Sequence, residues 1–260
     1  MGRLLKETPL SEILATLEVF DKHGVTREDF AKIRSHPDFG KKVSELIISG
    51  PALVSDDSLV DKTKFARSVL GDDVIFPLDI AAARNISYSE KQIQSLVKTF
   101  PSKDMLHWCK ANNYALIASP PEPMSLLEVR SLKPELFYEQ SGGWFAGQNF
   151  AKNDKTSFGW LAIRKDIVPD STDKTWNKQF RLLTDEERVP NAGGFAWFIT
   201  TYYEVRRVRL FKRIYARTSS VDSDGYYVVL GDCGERGLGV DSWDGVHCFG
   251  NVGLASARKF

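Results

Sequence analysis

Cysteine is scarce in this chain. Cys109, Cys233 and Cys248 are the only three among 260 residues, an odd number, too few for a disulfide framework and compatible with a reducing compartment. An excess of charge is missing too: 35 Lys and Arg face 34 Asp and Glu, for a net charge of +1. That balance argues against a protein that coats nucleic acid, because phosphate binding leaves a basic excess. No apolar run reaches membrane-spanning length. The N-terminus, MGRLLKETPLSEILATLEVF, is interrupted too often by polar residues to form a signal-peptide core. Met1-Gly2 lacks the Ser or Thr that a myristoylation signal needs at position 6, where Lys6 stands. Cytoplasmic synthesis without a cleavable signal is therefore the expectation. No Walker loop, dinucleotide-binding glycine run, GxSxG elbow or HExxH helix occurs.

What is present divides the chain into two halves. Hydrophobic content of 42% and charged content of 27% suit a folded domain. Residues 1–103 read as a helical domain, an adaptor or oligomerisation module with an ordinary core. Ile13, Leu14, Leu17 and Phe20 recur at helical spacing behind Ser11, a candidate N-cap. Gly24 ends that helix and Thr26 caps the next, with Phe30 and Ile33 facing inward. DFGKKVSELIISG adds Val43, Leu46 and Ile47 before Gly50-Pro51, and Ser89 starts a further helix that PSKD closes. A helix-turn-helix over residues 11–35 would allow nucleic-acid binding, although helical hairpins are mostly structural.

From residue 104 to 260 aromatics become dense and strand-like runs appear. YALIA and FGWLAIRK read as strands, and PNAGGFAWFITTYYEV as a buried helix. RLFKRIYARTSS, GYYVVLGD, GLGVDSW and VGLASARKF follow as short segments between Asp-Gly or Gly-rich turns. The class is α+β with short, irregular strands.

The chemistry carried by these residues is sparse. Cys233, His247 and Cys248 invite a metal reading, but no close C-x2-C pair is present, so neither a metal nor a cofactor is implied. VDSDG has the look of a calcium loop, yet Gly231 falls where the bidentate glutamate belongs. A Ser-Asp-Gly turn is the simpler reading. The run EVRRVRLFKR, with Arg206, Arg207, Arg209, Lys212 and Arg213, suits a solvated face or a helix C-terminus better than an acidic partner.

The order of segments carries a resemblance. GWLAIRKDIVPDSTDKTWNKQFRLL, ERVPNAGGFAWFITTYYEV, YARTSSVDSDG, GLGVDSW and GLASARKF together resemble the C-terminal domain of variable proteins from diversity-generating retroelements. The likeness covers about residues 105–260. It implies a C-type-lectin-like mixed α/β domain related to the formylglycine-generating enzymes, with its last strands and loops forming an exposed ligand-binding face. EVRRVRLF departs from the pattern, which commonly has a Gly-containing turn there. In such systems, adenines in the DNA for that face are rewritten by error-prone reverse transcription.

The resemblance makes a countable expectation. Changing only the adenines of an AAC codon never yields Lys, Glu, Gln, Met or Trp. These five supply 47 of the 260 residues, so about six would be expected in residues 219–252 from composition. Only Glu235 and Trp243 occur there. The implied variable face is Tyr226, Tyr227, Asp232, Cys233, Gly234, Asp241, Ser242, Trp243, Asp244, His247, Cys248, Phe249 and Asn251. Aromatics there offer large contact area at low entropic cost, and the Asp, Ser and Asn residues offer adaptable hydrogen bonds. Val228, Leu230, Leu238, Val240 and Leu254 are the expected apolar anchors, and Trp243 reads more as an anchor than as a contact. The implied partner is a protein or other macromolecule. The alternatives are a formylglycine-generating-type oxidase, for which no catalytic cysteine pair is apparent, and an adaptor acting through the helical half.

Overall fold

Thr26 illustrates how local sequence sets the first helices. In the computed structural model, which describes residues 9–41, 43 and 57–260, helices α1 (Leu10–Lys22) and α2 (Arg27–Ser35) flank it. The Thr26 hydroxyl accepts from the Asp29 amide while the Asp29 carboxylate accepts from the Thr26 amide, a reciprocal capping box. Gly24 takes φ +76° between the helices, and Phe20 meets Phe30 edge-on at 5.4 Å.

Two expectations need correction here. The N-cap of α1 is Pro9, at φ −58°, not Ser11, because proline's fixed φ suits a helix start and its missing N–H costs nothing there. The inward-facing stripe is also not buried in the described part: no described residue among 9–43 is buried, and Leu14 and Leu17 are exposed. Leu46, Ile47 and Gly50-Pro51 lie outside the described residues.

The chain divides into two compact units, Met1–Val60 and Asp61–Phe260, rather than near residue 103. Leu70, Ile80 and Leu96, read as part of a separate helical domain, share one core with Leu116, Ile117 and Trp197. Three helices that periodicity left unread stand here: α3 (Asp57–Leu70), α4 (Pro77–Arg84) and, beyond the Ser89-capped α5 (Glu90–Lys98), α6 (Lys103–Ala111). Helix α6 is capped by Ser102, whose hydroxyl accepts from the Met105 amide. The PSKD segment therefore opens a helix as well as closing one.

The larger unit is α+β. Its first sheet has the order β1-β2-β3-β9-β4, from Val74–Ile75, Tyr114–Ala118, Trp160–Arg164, Ala257–Arg258 and Glu187–Arg188. Only β1 and β2 run parallel in it. All five residues of β2 are buried, as a strand covered on both faces requires. The second sheet has the order β7-β6-β5-β8, with β5 Tyr215–Val221, β6 Tyr227–Gly234, β7 Gly237–Trp243 and β8 Val252–Leu254. Strand β5 pairs antiparallel with β6 and parallel with β8.

Helix α7 (Leu126–Leu132) and the short α8 (Asn149–Asn153) and α9 (Trp176–Phe180) precede the central helix α10 (Ala192–Arg206). Helix α10 packs against β3 of the first sheet and against β5 and β6 of the second. Twelve of its residues are buried, Phe195, Trp197 and Phe198 completely. Trp197 donates its indole N–H to the Ala118 carbonyl at 3.1 Å and lies under the Arg84 guanidinium at 4.6 Å. Arg206 ends the helix and donates to the carbonyls of Asp72 and Val74, at 2.7 Å each, so this residue of the basic run ties the helix end to the segment that leads into β1. Among the described residues, no helix is long and apolar enough to cross a membrane.

Candidate functional site

The face begins at the turn between β5 and β6. Asp222 organises it: Oδ1 accepts from the amides of Asp224 and Tyr226, at 2.9 Å each, and Oδ2 accepts from the Ser242 hydroxyl at 2.5 Å. The Ser-Asp-Gly segment is thus an Asx-type turn whose carboxylate is fully occupied by local donors. Strands β6 and β7 continue from it in register, Tyr227 opposite Trp243, Val229 opposite Asp241 and Gly231 opposite Gly239. Val228, Val229, Leu230 and Leu238 are buried and fix the hairpin to the core, while Val240 is half-buried.

Residues 244–251 form a loop with a different kind of support. Arg217, on β5, is completely buried. One of its terminal nitrogens donates to the Lys174 carbonyl at 3.1 Å and to Gln179 Oε1 at 2.9 Å. The other donates to the carbonyls of Asp244 (2.9 Å) and His247 (3.3 Å) in the loop. Burial draws the guanidinium pKa below its usual value, with nearby Asp244 acting in the opposite direction. Further loop carbonyls accept main-chain amides: Gly245 from Trp176, Phe249 from Asp173 and Val252, and Asn251 from Tyr215. The loop is held mainly by its backbone.

Its side chains are less uniformly committed: Asp244 and Phe249 make contacts within the face, while Val246, His247 and Cys248 are exposed. Asp244 accepts from the amides of Val246 and His247, and His247 Nδ1 lies 2.8 Å from Asp244 Oδ2. Those bonds, the His247 amide first, lower the Asp244 carboxyl to about 2. Trp243 is half-buried, 4.5 Å from the Phe249 ring and 5.7 Å from that of Tyr215, and its indole donates to Asp241 Oδ2. Tyr227 stacks on Trp176 at 3.8 Å, whereas Tyr226 is exposed. Ser242 and Asp241 are half-buried on β7, Asp232 and Asn251 are exposed, and Gly234 sits at the end of β6.

Cys233 does not belong to the exposed set. It is 2% exposed, because an irregularity in β6 between Gly231 and Gly234, where Asp232 takes φ +43°, leaves Asp232 outward and the next side chain inward. Burial raises its thiol pKa, and Arg209, whose guanidinium lies 4.0 Å from the sulfur, partly offsets that rise. Cys109, Cys233 and Cys248 are all free thiols. Among the described residues, no group of three or more His, Cys, Asp or Glu could hold a metal ion.

Beside the hairpin lies a cleft of about 340 Å³, lined by β6–β7 residues and by the distant segment 138–144. Three of its aromatic and acidic walls, Tyr138, Glu139 and Trp144, escaped the sequence reading of the site, as did Arg217 and Trp176. Trp144 is fixed by its indole N–H, which donates to the Val240 carbonyl at 3.0 Å. The only local signal for Arg217 was a charged residue inside an otherwise small and apolar strand. No family model, curated protein or solved structure matches this chain.

Proposed function

We propose that this chain is a binding protein that displays a diversified recognition face on a C-type-lectin-like scaffold, in the manner of retroelement variable proteins. Residues 219–252 carry that face, and its partner is a protein or other macromolecule. The observation that best supports the reading is the division of labour in the 244–251 loop. Its carbonyls are bound by Arg217 and by amides of residues outside the loop, so apart from the Asp244 carboxylate, which accepts two loop amides, the backbone path draws its support from outside the loop's own side chains. A surface that changes sequence while keeping its shape needs such support, since exposed side chains add little to the core.

The deficit of Lys, Glu, Gln, Met and Trp in residues 219–252 supports the same reading. So does the exposure of Tyr226, Asp232, His247, Cys248 and Asn251, which supplies aromatic and polar contact groups together. Cys233 is set apart from the proposed contacts by its burial.

The deciding experiment is genomic. The locus is expected to hold a near-repeat of the 3′ coding end, differing mainly where the repeat has adenine, beside a reverse transcriptase gene. A locus with neither overturns the diversification reading.

A further inference from the structure

We infer that the cleft between the β6–β7 turn and segment 138–144 binds a basic side chain, lysine or arginine, of a partner protein. The inference rests on the reading of this face as a recognition surface and names the chemistry of what it recognises.

Charge is the first ground. Glu139, Asp232, Glu235 and Asp241 line the cleft, and among the described residues Arg236 is the one cationic side chain in its walls. Among the described residues, Asp232 and Glu235 have no ion-pair partner, and both side chains are exposed. An incoming ammonium or guanidinium supplies the exposed Asp232 and Glu235 carboxylates with a charge-assisted partner. The Tyr215 hydroxyl reports the same field, since the neighbouring Asp232 and Asp241 reinforce the rise in its pKa that burial causes.

Shape is the second ground. Tyr138 and Trp144 are both exposed at the rim, and Tyr215 lies between the strands. Aromatic faces beside carboxylates attract cations through the ring quadrupole. The protein already uses one of these faces in that way, since the Arg236 guanidinium lies 4.8 Å from the Tyr138 ring centre. Gly239 keeps the floor open, because a Cβ there would come within 2.8 Å of the Tyr215 hydroxyl oxygen. Gly237 takes φ +100° in the turn, where its Cβ would strike the backbone of Leu136 and Phe137. The acids are spread around the cleft and do not converge on a point that could hold a metal ion. That spread suits a large organic cation.

The test is an NMR titration of the full chain, following the Trp144 indole and the Gly237 and Gly239 amides. The probes are acetyl-Gly-Arg-Gly-amide, its lysine and citrulline counterparts, and N-acetylglucosamine. The arginine and lysine peptides are expected to shift these signals at millimolar concentration, with the citrulline peptide about ten-fold weaker or more, as loss of one charge-assisted contact implies. Asp232→Asn and Glu235→Gln should each weaken binding several-fold, and so should raising the salt to about 0.5 M. Both side chains are exposed, and asparagine tolerates the left-handed backbone of Asp232, at φ +43°, so the variants are expected to keep the wild-type spectrum elsewhere. Equal or tighter binding of citrulline or the sugar, no response to any peptide, or indifference to both substitutions overturns the inference. Those failures leave the genomic test untouched. Conversely, basic peptides that bind in a protein whose locus lacks a template repeat uphold the cleft and sink the diversified display.

Discussion

Helix α10 and the 244–251 loop occupy the same unit and are secured in opposite ways. The helix is held through its side chains: Phe195, Trp197 and Phe198 are completely buried, and Trp197 alone touches a strand carbonyl and a guanidinium. The loop is held through its carbonyls, which Arg217 and the amides of Asp173, Trp176 and Tyr215 engage from outside. A helix secured by side chains constrains its own sequence tightly, because interiors are close-packed. A loop secured by its backbone constrains the sequence of its supports more than its own, with Asp244, whose carboxylate caps two loop amides, as the exception. Core and display surface can thus be neighbours without sharing their tolerance of change.

Substitutions break or sharpen this contrast, and the largest effect belongs to the helix. Trp197→Ala should cost about 3–5 kcal/mol, the usual range for an emptied aromatic site, read as a fall in the denaturant midpoint for the whole unit. A loss below about 1 kcal/mol would mean the helix is not the keystone that its burial implies. Arg217→Met comes next. It removes four hydrogen bonds from one buried guanidinium and should cost about 1–3 kcal/mol. The loop amides of 244–251 should lose hydrogen-exchange protection before the strands do. Uniform loss across the unit would show that Arg217 supports the core in general and not the loop in particular.

Acid should act more weakly and more locally. The Asp244 carboxyl is lowered to about 2, so its bonds to the His247 and Val246 amides stabilise the loop above the unfolded carboxylate pKa. That contribution is lost as pH falls through the folded value. The side-chain carboxyl carbon signal of Asp244 should therefore titrate near pH 2, well below the range of an ordinary aspartate. Movement centred near an ordinary carboxylate value would refute the turn. The smallest effects belong to the exposed loop side chains. His247→Ala and Cys248→Ser should each change stability by no more than about 0.5 kcal/mol, measured by the same denaturant midpoint. A larger loss at either position would remove the contrast with α10.

Local elements were legible where one residue carries the signal. Thr26 and Ser89 sit at helix starts, YALIA is a strand, and the PNAGGF segment opens the buried helix, with Asn191 accepting from the Gly194 amide. The helix at 103–111 went unread because its aromatic and charged residues mask a short periodicity. Strand β1 went unread because two residues, Val74 and Ile75, carry no pattern at all. The division at Val60 was not legible either. Periodicity tells which face of a helix is apolar, not which core that face joins.

The candidate site divides the same way. The resemblance marked residues 219–252, and their composition agreed: poor in Lys, Glu and Gln, rich in aspartate and glycine, and dotted with aromatics. It could not separate Cys233 from Asp232, because strand phase decides which neighbour faces the core. Nor could it bring Tyr138, Glu139 and Trp144 to the hairpin.

By itself, then, the sequence determined the short-range structure, since caps, turns and hydrophobic periods depend on residues within a few positions of one another. Tertiary structure alone decided that Arg217 grips the 244–251 backbone and that a segment about a hundred residues upstream completes an acidic, aromatic cleft. The physical reason is that both depend on chain ends brought together by burial of a common core, and such closure leaves no local trace in sequence.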